Sequence, residues 1–392
     1  MIMRCVSFIN AAMGPNQPSS LRVRGMHIAA VGEPPGPRDL VVDLRGDRLL
    51  PGLINAHDHL QLNSFRLPDY GRRYRNASEW IADFNARMVA DSAFRAGRAI
   101  PRDRRLLHGG CKNLLSGVTT VAHHDPLYPM LTSGDYPTQV LETYGWSHSL
   151  GIDGAESVRA SFERTPADRP WIIHAAEGID EAAAAEFGRL DALGCIGPRT
   201  LLVHGVALDS AQRARLEAAG AGLIWCPTSN LRLFGATADV ADLVSRGRVA
   251  LGSDSRLTGG LDLLEEVRAA GATGGFDERT LESLVTESAA RLLRLGDRGV
   301  LRAGARADLV VLPARLPLSS AVRKDIRLVM LGGSMCCGDR DLAEIMMVKS
   351  QRMEIRVEGC VKIVEHRLAA ALSSTGELEP GLEFSNTAGR AA

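Results

Sequence analysis

The chain has 392 residues, of which 45% are apolar and 23% charged, and its formal net charge is zero. That length can bury a large core in one or two domains, and the composition is that of an ordinary globular protein. A zero balance gives no electrostatic reason to expect a nucleic-acid or anionic-membrane partner. No run approaches the roughly 18 apolar residues of a membrane span, and the N-terminus lacks the apolar stretch of a signal peptide. The seven cysteines are scattered and contain no Cys-x-x-Cys, which argues against a disulfide scaffold or a thiolate zinc site. A soluble cytoplasmic protein is expected. The arginine clusters at Arg72, Arg73 and Arg75 and at Arg102, Arg104 and Arg105 read as solvated surface.

In chain order, residues 21–23, 27–31 and 40–44 read as short strands, and Pro34-Pro35-Gly36-Pro37 as a loop. From about residue 49 to 295, apolar runs alternate with amphipathic stretches, the signature of repeated βα units and a parallel sheet. The strand runs at 52–59, 118–123, 171–174, 201–204, 223–226 and 249–254 read as continuously apolar, as buried parallel strands do. Helices are expected at 181–193, 210–219, 261–270 and 278–295. Between Asp125 and Trp171 two further βα units are needed. Those residues hold one convincing strand, near 139–150, so one unit is abbreviated or one strand irregular. After Gly299 strand patterns return at 300–305, 307–312 and 326–331. Residues 341–392 carry one further strand-like run at 353–364 and are expected to be peripheral and partly disordered.

Each central strand run ends in polar residues: His57-Asp58-His59, His123-His124-Asp125, His174-Ala175-Ala176-Glu177, His204 and Ser253-Asp254. A lone histidine at a strand end is usually structural. Residues i and i+2 of a strand share a face, however, so His57 and His59 make half of a metal site. His57, His59, His174 and Asp254 are enough to hold one zinc or iron ion, and such an ion lowers the pKa of its water to near 7. Glu177 can reach over the metal and shuttle a proton, and His204 can hydrogen-bond the attacking water or a developing oxyanion.

At these residues the sequence resembles the amidohydrolase superfamily, in the branch of the cytosine, guanine and adenosylhomocysteine deaminases and the triazine hydrolases. The resemblance runs from about residue 20 to 335. It rests on Leu50-Pro51-Gly52-Leu53-Ile54-Asn55-Ala56-His57-Asp58-His59, Ser116-Gly117-Val118-Thr119-Thr120-Val121, His174-Ala175-Ala176-Glu177-Gly178, Cys226-Pro227-Thr228-Ser229-Asn230, Leu251-Gly252-Ser253-Asp254 and Gly304-Ala305-Arg306-Ala307-Asp308-Leu309-Val310. It implies an α/β fold: a distorted (β/α)8 TIM barrel over 51–299, and a small β-sandwich built from 1–50 and 300–340. It also implies metal ligands His57, His59, His174 and Asp254, with Glu177 as acid/base, His204 activating water and Asp254 as proton acceptor. Two-metal members bridge their ions with a carboxylated strand-end lysine. The four lysines here, Lys112, Lys324, Lys349 and Lys362, end no central strand, which favours one divalent metal, zinc with iron as the alternative.

The expected reaction is attack on a C–N bond, foremost deamination of a small heterocyclic amine. Amide or ring-opening hydrolysis and triazine-type hydrolysis remain alternatives on the same scaffold. A catalytically silent metal-binding module is opposed by the intact Glu177. Candidate substrate contacts are Gln61, His124, Trp146, His148, Asn230 and Arg256, with Asn63, Trp80 and Arg232 also near strand ends. The partner expected is a small molecule, and homo-oligomerisation stays open.

Overall fold

The computed structural model describes residues 5–14, 19–65 and 68–384. Its centre is a set of parallel strands: β1 Leu53–Asp58, β2 Val118–His123, β3 Gln139–Val140, β4 Gly145–Ser147, β5 Trp171–Ala175, β6 Thr200–His204, β7 Gly222–Trp225 and β8 Val249–Leu251. β1, β2, β6, β7 and β8 are buried along their whole length, as strands covered on both faces must be. β1 to β3 form one parallel sheet and β4 to β8 another. The sheets meet at one edge where the Asp254 N–H, just past β8, donates to the His57 carbonyl at 3.0 Å.

At the other edge one extended segment, followed by helix Ala155–Arg164, stands where two βα units are expected. Only residues 141–144 separate β3 from β4. A crossover between side-by-side parallel strands takes roughly a dozen residues or more, so β3 and β4 run end to end. The first part lies along β2, with Leu141 N–H on the Val121 carbonyl at 2.8 Å and the Tyr144 hydroxyl on the His123 carbonyl. The second part pairs with β5.

Two predicted helices appear as Glu181–Ala192 and Ser210–Ala218. The Asp180 carboxylate caps the first by accepting from Ala183 N, and Asp209 forms a reciprocal capping box with Gln212. The helix expected at 261–270 runs Leu263–Gly274. The one expected at 278–295 is instead two, Glu278–Leu284 and Glu287–Leu292. Between them the Val285 carbonyl turns out to accept the Ile54 N–H of β1 at 2.8 Å. Among the described residues, no helix is long and apolar enough to cross a membrane.

Beside the parallel strands, a four-stranded sheet of Val6–Ile9, Leu21–Arg24, His27–Val31 and Leu40–Asp43 faces a seven-stranded sheet. Strand alternation divides the seven-stranded sheet between two cores. Leu309, Val311, Leu328 and Met330 pack with Phe8 and Val42, whereas Val310, Leu312 and Val329 join the core of the parallel strands. Residues 300–305 turn instead of forming a strand, with Gly304 at φ 83°.

The C-terminal stretch is not peripheral through residue 384. Arg352–Val357, Cys360–Glu365 and Leu382–Phe384 are strands of the seven-stranded sheet. The run expected at 353–364 is thus a hairpin, turning at Glu358 (φ 50°) and Gly359 (φ 79°), the positive-φ pair that tight hairpins prefer. Helix His366–Thr375 buries Leu368, Ala369 and Leu372 in the main core. Residues 385–392 lie outside the described residues.

Candidate metal centre

His57, His59, His174, His204, Glu177 and Asp254 come together at the C-terminal ends of the parallel strands, where α/β folds place their chemistry. His204 (φ 73°), Asp254 (φ 50°) and Ala176 (φ 52°) adopt left-handed backbone conformations. Such positions are strained for non-glycine residues and concentrate at functional sites. Gly252 is required by packing: a Cβ there would lie 2.6 Å from the His57 Cβ.

The imidazoles converge through one kind of nitrogen. His174 Nε2 is 3.3 Å from His57 Nε2 and 3.4 Å from His59 Nε2. Nitrogens bound to one tetrahedral cation at 2.0–2.1 Å stand about 3.4 Å apart. The opposite nitrogens are occupied. His59 Nδ1 is 2.8 Å from Asp125 Oδ2, and His174 Nδ1 is 2.7 Å from the His148 carbonyl. Both acceptors are oxygens, so each Nδ1 carries the hydrogen and each Nε2 can offer its lone pair to a cation. Asp254 Oδ1 lies 3.9 Å from His57 Nε2. Its other oxygen accepts from Ser229 Oγ at 2.9 Å and Thr258 Oγ1 at 2.7 Å.

Among the described residues, the ligand atoms of His57, His124 and His174, and those of His57, His204 and Asp254, lie within 4.8 Å of one another. His124 meets His57 at Nδ1, 3.2 Å away, so it stands behind that ring. Burial and neighbouring imidazoles hold His57 and His174 well below the usual histidine range. Burial would lower His59 too, but Asp125, with Asp254 and Asp58 behind it, pushes it up to about 9. For Asp254 burial is outweighed by His204, His59, Thr258 and His174, and its carboxyl is lowered. The neutral imidazoles of His57 and His174 and the ionised Asp254 suit zinc or iron, and on His59 a cation would take the place of the Nε2 proton.

Glu177 faces this centre from the loop after β5, its Oε1 3.7 Å from His204 Nε2. Burial, then Asp254 and Glu186, push its carboxyl well above the usual range. The Ala176 N–H is held by Glu186 Oε2 at 2.8 Å, and His204 Nδ1 by Asn230 Oδ1 at 2.8 Å. A cavity of about 260 Å³ opens beside His174 and Glu177, walled by Ala77, Ile81, Asn85 and Ile152.

Several candidate substrate contacts are turned to other tasks. Gln61 Nε2 binds Asp125 at 2.5 Å, and Asn230 holds His204. His124 is buried against His57, with Trp146 edge-on at 5.6 Å between ring centroids. His148 lends its carbonyl to His174, and its ring nitrogen lies 3.8 Å from Asp125. Arg256 points away from the centre into a buried pair with Glu379. Arg232 binds the Gly259 carbonyl, and Trp80 stacks on Phe84.

Glu186 and the cavity-wall residues Ala77, Ile81 and Asn85 of helix Ala77–Ala90 were not among the candidates. Asp125 stood in the His123-His124-Asp125 run, and of the wall helix the sequence offered only Trp80. Lys112, set aside for not ending a strand, is fully buried behind the centre, with Nζ 3.2 Å from Asp58 Oδ2 and 2.7 Å from Asn63 Oδ1.

Comparison with known proteins shows the family of the chain. A sequence model of the amidohydrolase family matches residues 139–336. The chain is 30% identical to a 5-methylthioadenosine/S-adenosylhomocysteine deaminase of Haloarcula marismortui, over an alignment covering 43% of each protein. It is 26% identical to the enzyme of that name from Syntrophobacter fumaroxidans, covering 83% of this chain and 89% of that one. The fold superimposes on a zinc-complexed atrazine chlorohydrolase of Arthrobacter aurescens with TM-score 0.71, at 17% identity, over 96% of this chain and 100% of that one.

Proposed function

Because the chain belongs to the amidohydrolase family, we propose that it is a one-metal hydrolase that deaminates a small heterocyclic amine. The observation that carries this is that His174 Nε2 stands at tetrahedral spacing from both His57 Nε2 and His59 Nε2, with the Nδ1 of His59 and His174 committed to oxygen acceptors. The ligand set is then His57, His59, His174 and Asp254. Zinc is favoured over iron by the zinc in the Arthrobacter neighbour. Lys112 Nζ is taken up by Asp58 and Asn63, so it is not free to bridge a second ion. We read the parallel strands as a distorted (β/α)8-type barrel over residues 51–299 that has lost one βα unit. The facing sheets make a β-sandwich domain drawn from both ends of the chain.

When bound, a divalent cation supplies acidified water at neutral pH. The rest is done by side chains. Asp254 accepts a proton from the attacking water. Glu177, kept protonated by burial and neighbouring carboxylates, donates to the ring nitrogen beside the attacked carbon, takes a proton back from the new hydroxyl as the carbonyl forms and passes it to the departing amine; the proton held by Asp254 then returns to Glu177. His204, aligned by Asn230, hydrogen-bonds the atom on which charge develops. The substrate enters through the cavity lined by Ala77, Ile81 and Ile152. The names of the Haloarcula and Syntrophobacter relatives favour an adenine nucleoside.

The test is ammonia release by the zinc-loaded protein from adenine nucleosides, oxopurines, pterins and triazines. Release from a purine is expected. Opening of cyclic amides with no ammonia from any compound would overturn deamination in favour of ring hydrolysis.

A further inference from the structure

We propose that His124 is a positioning residue that fixes the ring tautomer of His57 and so frees His57 Nε2 to hold a cation. The inference rests on the metal-centre reading above. His124 Nε2 lies 2.8 Å from the Ser147 carbonyl. A carbonyl oxygen only accepts, so Nε2 carries the hydrogen. A neutral His124 is then bare at Nδ1, which is 3.2 Å from His57 Nδ1. His57 must therefore donate from Nδ1, and its Nε2, facing His174 at 3.3 Å, is left with its lone pair.

This arrangement differs from that of the other two histidines. His59 and His174 face oxygens, which dictate the tautomer outright. His57 faces a nitrogen that could donate or accept, so its tautomer is decided one step further out, at the carbonyl of Ser147 on β4. The His124 ring is held in place by His174, stacked 4.4 Å away at 17°, and by Trp146. The segment that replaces the missing βα unit thus ends in the carbonyl that sets the first ligand of the centre.

The experiment compares zinc affinity of the full chain with His124→Leu and His124→Asn, by chelator competition, alongside cobalt(II) absorption spectra and melting temperature. His124→Leu removes the acceptor and should weaken zinc binding by about 10–100-fold. His124→Asn places an acceptor oxygen near the Nδ1 position and should recover most of that loss, with the four-coordinate cobalt spectrum. Equal zinc affinity in wild type and His124→Leu, or an Asn variant no better than Leu, overturns the proposal while leaving the metal reading intact. A wild type that binds no zinc overturns both. Long-range proton–nitrogen NMR of the ¹⁵N-histidine wild type reads the tautomer without any variant. A hydrogen on His57 Nδ1 is expected, and a hydrogen on Nε2 in the zinc-loaded protein refutes the assignment.

Discussion

Glu379 and Arg256 form a two-pronged buried ion pair, with Nη2–Oε1 at 2.6 Å and Nη1–Oε2 at 3.1 Å. Arg256 lies two residues past Asp254, and its own N–H is held by Asn63 Oδ1 at 3.1 Å. Arg323 and His108 also bind Glu379, and Arg323 reaches Asp262 at the start of helix Leu263–Gly274. The C-terminal stretch is thereby fastened to the loop that carries Asp254.

Removing Glu379 leaves Arg256 and Arg323 buried without a shared anion. Glu379→Ala should destabilise the protein by about 3–5 kcal/mol, the usual consequence of breaking a buried pair, measured by urea unfolding. Burial alone would raise this carboxyl; Arg323, Arg256 and His108 hold it well below its ordinary value. Its folded pKa is therefore below the unfolded value of roughly 4.3. The stabilisation is fully present above that value and is lost as pH falls towards the depressed folded pKa. Wild type should lose stability on acidification below about pH 5 more steeply than Glu379→Gln. Parallel curves for the two proteins would remove Glu379 from the acid response.

For Glu177 the expected change is chemical. Glu177→Gln keeps the shape but cannot transfer a proton, so kcat should fall by about 10²–10⁴-fold. Zinc content by elemental analysis should stay at the wild-type level. Persistent activity in this variant would end the acid/base role.

His59→Ala should lose most bound metal, because it deletes the Nε2 that stands 3.4 Å from His174 Nε2. Asp125→Ala should weaken metal binding more mildly, by about 10–100-fold, since it only releases His59 Nδ1. Chelator competition on both variants checks the order. An Asp125→Ala effect larger than that of His59→Ala would mean that Asp125 itself binds the ion.

Lys112 holds Asp58, which lies between His57 and His59, in a network that includes Asn113 Nδ2 at 2.8 Å and Asn63 Nδ2 at 2.8 Å. Lys112→Met strands a buried carboxylate and should cost about 3–5 kcal/mol of stability. Adding Asp58→Asn removes the stranded charge and should restore part of it. A double variant no more stable than the single one in urea unfolding would show that the charge of Asp58 is not what Lys112 balances.

The strand-end residues of the candidate site were legible because their information is local. His57, His59, His174, His204 and Asp254 each close an apolar run, and an apolar run closed by a polar residue encodes a buried strand and the end at which its side chains emerge. Glu177 follows His174 by three positions and came with it. The shortage of chain between Asp125 and Trp171 also showed in the sequence, as an excess of required strands over available residues. Only the tertiary structure could resolve it into a single segment running along β2 and then β5.

The roles of the supporting residues depended on partners far along the chain. Arg256 looked like a substrate contact until Glu379, 123 positions away, took its guanidinium; Asn230 went to His204, 26 positions away. His124 and Asp125 sit in a visible His-His-Asp run, yet nothing local says that one faces the back of His57 and the other the back of His59. The sequence by itself determined which side chains reach the ends of the strands, because strand periodicity and burial are written in neighbouring residues. Which nitrogen each ring turns inward was decided only by the tertiary structure, because that choice belongs to hydrogen-bond acceptors, Asp125 Oδ2, the His148 carbonyl and the Ser147 carbonyl, brought there by other strands.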